Sequence, residues 1–203
     1  METLRRYGNP PFSLAVIHGG PGAPGEMAPV ARELSAFRGV LEPLQTAMTL
    51  EGQVRELQEV LKEHGNLPIT LIGFSWGAML SFIFTARYPE LVIGKLMSKA
   101  DAYHPLPYKD ELIQCSYESF KGVWEEASEL RSCGKLLELG KEIRCQVIAV
   151  HGDYDPHPFE GVKEPLSRIL KDFRFILLEK CGHRPWIERE AKERFYSLLR
   201  SEI

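Results

Sequence analysis

No stretch of the 203 residues approaches the roughly 20 consecutive apolar residues that span a bilayer, so no membrane association is expected. The four cysteines, Cys115, Cys133, Cys145 and Cys181, are widely spaced and form no C-x-x-C pair. That argues against a disulfide frame or a thiolate metal site and for reduced thiols. Charge of one sign is also lacking. Lys and Arg number 25 against 28 Asp and Glu, a formal net charge of −3, so nothing draws the whole chain to nucleic acid or to an anionic membrane. Residues 1–11 are polar, with Arg5 and Arg6, and lack the apolar core of a signal peptide, so a cytoplasmic protein is expected. Internal repeats and low-complexity segments are absent as well. What remains, 44% hydrophobic and 26% charged residues, suits one soluble globular domain over 1–203.

Short apolar runs alternate with amphipathic stretches along the chain. Strand-type runs occur at 13–17, 40–44, 69–74, 91–97, 146–150 and 174–178. Helical patterns are expected at 26–37, 50–64, 76–88, 159–171 and 187–203. Residues 101–143 break the alternation. They are mostly helical and longer than an ordinary crossover, which suits a small helical lid or an extended crossover. The alternation predicts a parallel sheet covered on both faces, with ligands at the carboxyl ends of the strands.

The loops after those strands carry the chemistry. Gly73-Phe74-Ser75-Trp76-Gly77 joins an apolar run to a helix-like stretch, the strand-turn-helix context in which G-x-S-x-G lifts a serine hydroxyl clear of a sheet. His18-Gly19-Gly20-Pro21-Gly22 is a rigid turn with exposed backbone, either a plain loop or one whose N–H groups receive an oxyanion. A serine hydroxyl needs a base, a carboxylate to orient that base, and oxyanion donors. His183 follows the last strand directly. Asp153 and Asp155 share the turn after the fifth, and either could orient the histidine. Ser75, Asp155 and His183 would then form a triad in the order Ser…Asp…His. His151 and His157 flank these carboxylates but lack close ligand spacing, so no metal and no cofactor are expected. Phe74, Tyr103, Phe159 and Trp186 are candidates for an apolar substrate pocket.

Together, the H-G-G-P-G loop at 18–22, Gly73-Phe-Ser-Trp-Gly77, His151-Gly-Asp-Tyr-Asp155 and Gly182-His183 resemble the α/β-hydrolase superfamily. The nearest branch is the group similar to proline iminopeptidases. The resemblance implies Asp155 as the triad acid, and the backbone N–H groups of Trp76 and Gly20, with Gly19 as the neighbour that could serve instead, as oxyanion donors. It implies a minimal α/β-hydrolase that lacks the family's first two strands, a sheet of about six parallel strands in the order 2-1-3-4-5-6, and a short lid. The expected activity is hydrolysis of a small ester or thioester through an acyl-enzyme. An aminopeptidase similar to proline iminopeptidases is the second reading, and a non-catalytic or single-turnover binding protein on the same fold is the third. The expected partner is a small-molecule substrate, and the chain is expected to be a monomer or a homodimer covering an exposed sheet edge.

Overall fold

The computed structural model describes residues 3–98, 102–107 and 117–203. Its centre is a seven-stranded sheet in the order β1-β3-β2-β4-β5-β6-β7. The strands are β1 (Leu4–Tyr7), β2 (Phe12–Ile17), β3 (Gly39–Pro43), β4 (Ile69–Phe74), β5 (Val92–Ser98), β6 (Gln146–Gly152) and β7 (Phe173–Leu178). From β2 onward every pairing is parallel, and these six strands keep the order expected from the sequence.

The count of six is corrected by β1, which pairs antiparallel with β3, Leu4 opposite Pro43 and Tyr7 opposite Val40. Its polar composition hides it in the sequence. Glu42 supplies the reason it docks: this carboxylate is fully buried, accepts the Tyr7 hydroxyl at 2.7 Å and faces Arg5 at 3.6 Å. Residues that read as a solvated tail thus compensate a buried charge on the neighbouring strand. The β3 edge that would otherwise be open is paired.

Side-chain alternation along the central strands divides the core into two layers. Leu14, Val16, Ile72 and Phe74 pack with α1 (Ala28–Leu34) and α7 (Lys192–Glu202), through Val30, Leu34, Phe195 and Leu199. Ala15, Ile17 and Leu71 face the other way. They meet α2 (Leu50–His64) and α3 (Trp76–Arg87) through Val54, Leu57, Leu61, Leu80 and Phe84. Thr49 caps α2 by accepting the Gly52 N–H at 3.1 Å.

Two expected helices are shorter than their patterns. The stretch 26–37 is helical only as α1, and 187–203 opens with a 3₁₀ turn, Pro185–Ile187, before α7. Glu26 is held by an ion pair to Arg184 at 2.7 Å, and Glu188 by backbone N–H groups described below, so both are used outside a helix.

Of the stretch 101–143, the described part contains α4 (Tyr117–Ser132), α5 (Lys135–Glu138) and a 3₁₀ turn, Leu139–Glu142. α4 is anchored to the start of α2, where the Leu50 N–H donates to Glu126 at 2.8 Å and Val123 and Ala127 are buried. The chain continues through β6 to α6 (Glu160–Ile169). Among the described residues no helix is long and apolar enough to cross a membrane.

Candidate active site

Ser75 stands between β4 and α3 with φ 51° and ψ −113°. A positive φ is uncommon for a residue with a Cβ and marks a turn held by its surroundings. The flanking glycines serve a different purpose, close approach. A Cβ on Gly73 would overlap the Gly77 carbonyl, and one on Gly77 would overlap the carbonyl oxygens of Ile17 and His18. α3 therefore starts hard against the end of β2. As N1 of that helix, the Trp76 N–H has no intrahelical acceptor. The Trp76 indole points away from the turn into the core and donates to Gln53 at 2.8 Å.

The glycine loop after β2 lies against the same turn. A Cβ on Gly19 would come within 2.7 Å of the Phe74 ring, and Gly20 adopts φ 50° while its carbonyl accepts the Ala23 N–H at 3.1 Å. His18 is fully buried, and its Nδ1–H donates to the Gly19 carbonyl at 2.8 Å. Burial holds its imidazole below the ordinary histidine range, with the loop carbonyls offsetting part of that shift.

The two aspartates of the β6 turn do different things. Asp153 accepts the Cys181 N–H at 3.1 Å and so ties the β6 turn to the β7 turn. The Asp155 carboxylate is fully buried and lies 3.8 Å from His183 Nδ1, within ion-pair range and longer than a hydrogen bond. It also faces two imidazoles that were given no role in the expected triad. His151 Nε2 is 3.3 Å from Oδ2, while the His157 backbone N–H and Nδ1 lie 2.8 and 3.0 Å from Oδ1. The visible signal for both was their position flanking the acid.

The His183 ring packs on Phe74 at 4.5 Å between centroids, which brings it to the Ser75 turn, and Trp186 meets Phe74 edge-on at 4.7 Å.

Glu188 anchors the histidine turn from behind. Fully buried, it accepts N–H groups from Gly182 at 2.8 Å, Tyr103 at 2.5 Å and His104 at 2.7 Å. It thereby joins the segment after β5 to the residue preceding His183. Nothing in the sequence separates Glu188 from the surface carboxylates of the closing segment.

A cavity of about 390 Å³ opens beside Ser75. Met79 and Phe82 of α3, Leu136 and Leu137 of α5, and Val162 and Leu166 of α6 form much of its wall. The four aromatic candidates for a substrate pocket lie elsewhere. Phe74 and Trp186 are buried in the layer under α7, Phe159 packs on Phe175, and Tyr103 is exposed beside Tyr154. Large aromatic side chains near the strand ends went to support the turns, and aliphatic ones from the helices shaped the hollow. Among the described residues no group of three or more His, Cys, Asp or Glu could hold a metal ion.

Comparison with known proteins bears on the fold. A family model described as alpha/beta hydrolase fold matches residues 21–94. Over 100% of this chain and 98% of its own, the crystal structure of Paleococcus ferrophilus monoacylglycerol lipase superimposes with a TM-score of 0.75 at 16% identity. The chain has the α/β-hydrolase fold. E-2-(acetamidomethylene)succinate hydrolase shares this hydrolase fold at a TM-score of 0.74 and 15% identity, over 98% of this chain and 93% of that one. So does the thioesterase domain from the curacin biosynthetic pathway, at 0.73 and 16%, over 98% and 94%. Curated protein sequences yield no match.

Proposed function

We propose that the protein is a serine hydrolase that cleaves an ester or thioester through an acyl-enzyme. Ser75 Oγ attacks the acyl carbonyl while His183 Nε2 takes the hydroxyl proton. The Trp76 and Gly20 amides donate to the oxyanion. His183 returns the proton to the departing alcohol or thiol, leaving the acyl group on Ser75. Water, deprotonated by His183, then attacks the acyl carbon, and release of the carboxylic acid restores the serine. The Asp155 carboxylate faces the proton-bearing Nδ1 of His183 and stabilises the imidazolium by its charge.

One observation carries the reading: the positive φ of Ser75 at a strand-to-helix turn beside an open cavity. A packing turn at this place would not need a serine in that conformation. The hydrolases that share the fold make the same activity the natural expectation. Ester or thioester cleavage is preferred over an aminopeptidase activity because none of the described cavity-lining residues is an Asp or Glu that would hold a substrate ammonium, while Arg131 is present.

The test is the intact mass after exposure to a fluorophosphonate, with Ser75→Ala and His183→Ala alongside. The expected result is one adduct on the wild type and none on either variant, with ester turnover falling by about 10⁴-fold or more in Ser75→Ala. An unlabelled wild type that turns over no ester would instead favour a binding protein on the hydrolase fold.

A further inference from the structure

α6 carries an apolar stripe, Val162, Pro165 and Leu166, at helical i, i+3, i+4 spacing, yet no residue of this helix is buried. The stripe faces the cavity beside Ser75. Opposite it, Leu136 and Leu137 are likewise only half-buried, and Met79 closes the wall from α3. A fold that leaves this many aliphatic side chains partly wet around one hollow has an apolar surface awaiting a partner. The hollow lies within the range of small-molecule sites.

The rim holds two glycines, and they differ. Gly134 has φ 78°, so its backbone conformation favours glycine whatever surrounds it. Gly161 has no such requirement. It lies in the first turn of α6, and a Cβ built on it meets nothing within 4 Å. Glycine is a poorer helix former than alanine, and here it gains no packing contact in return. Pro165 stands one turn later and lacks the N–H that would bond the Gly161 carbonyl, so this part of the helix is shaped for the cavity rather than for its own ladder. What Gly161 provides is an open entrance.

We infer that this cavity is an acyl-chain site and that Gly161 determines which chains enter it: a medium-length apolar acyl group lies along α6, its carbonyl at Ser75. The inference rests on the serine-hydrolase reading for its chemistry, and on the cavity alone for its binding.

The experiment compares the wild type with Gly161→Ala and Gly161→Leu on p-nitrophenyl acetate and p-nitrophenyl octanoate. In parallel, octanoate binding is titrated by calorimetry in Ser75→Ala and in the Ser75→Ala/Gly161→Leu double variant. Leucine is a strong helix former at an exposed position, so the fold is retained. Gly161→Leu is expected to lower kcat/KM for octanoate by about tenfold or more and for acetate by less than about twofold, with Gly161→Ala between. Octanoate affinity is expected to fall about as much in the double variant. An unchanged octanoate-to-acetate ratio in Gly161→Leu overturns the inference. So does acetate turnover by a protein that binds no octanoate, which leaves the hydrolase reading standing. Octanoate binding that Gly161→Leu weakens, without turnover of either ester, upholds the acyl site and removes the hydrolase reading.

Discussion

Toward β2 and α2 the surroundings of Ser75 are closed with hydrogen bonds, whereas toward β6 and α6 they are open and apolar. On the closed flank, Gln53 joins the Trp76 indole to the Ala47 carbonyl at 2.8 and 3.0 Å. Glu56 gathers the Thr46 and Ala47 amides at 3.0 and 3.1 Å, and buried His18 braces the glycine loop. On the open flank, mostly apolar side chains of three helices, Phe82 among them, surround empty space. On the function proposed above, the difference is a division of labour. Donors for a developing oxyanion act only when they are fixed in advance, and buried polar groups that satisfy one another fix them. An apolar substrate needs nothing but room and contact area. The serine stands where these two constructions meet.

The largest expected effect tests the closed flank. Gly77→Ala forces a methyl group into the Ile17 and His18 carbonyls, and should cost about 3 kcal/mol or more in urea denaturation. A loss under about 1 kcal/mol would mean that this flank is loose. Trp76→Phe comes next. It leaves buried Gln53 without the indole donor and should cost about 1–3 kcal/mol, and adding Gln53→Leu should recover part of that loss. If the double variant is simply additive, the polar bracing is not a unit.

His18 supplies a pH test. Burial lowers its folded pKa below the ordinary 6.5, so the unfolded chain binds a proton that the folded chain refuses. The contribution is absent above about pH 6.5 and grows as a loss of stability on acidification below it. Melting curves from pH 7.5 to 5 should show this decline, and His18→Asn should flatten it. The smallest effect belongs to the open flank. Gly161→Ala should raise stability by about 0.5–1 kcal/mol, the opposite sign from Gly77→Ala. Equal signs at the two glycines would erase the contrast.

Cys181 shows how context decides reactivity on the same site edge. Burial and the nearby carboxylates of Glu188, Asp153 and Asp155 push its thiol up to about 12, so it stays protonated beside the histidine turn. Its adjacency to Gly182-His183 in sequence carries no hint of that.

The strand order came from the resemblance to α/β-hydrolases, whereas the six strand runs and the placing of Ser75, Asp155 and His183 on the loops at one edge were legible in the residues themselves. Those follow from local periodicity and from glycine-rich turns, which the chain writes in consecutive residues. What depends on residues distant along the chain became visible only once the chain was folded. β1 exists because Glu42 is buried 35 residues after Tyr7. Asp153 and Asp155 separate because one meets the Cys181 amide and the other faces histidines. Glu188 becomes an anchor because the Tyr103 and His104 amides, 85 and 84 residues earlier, turn toward it beside the nearby Gly182 amide. The four aromatic candidates went to packing or the surface, and the cavity wall fell largely to aliphatic residues together with Phe82, because burial depends on which faces meet when helices close on a sheet, and no local pattern records that.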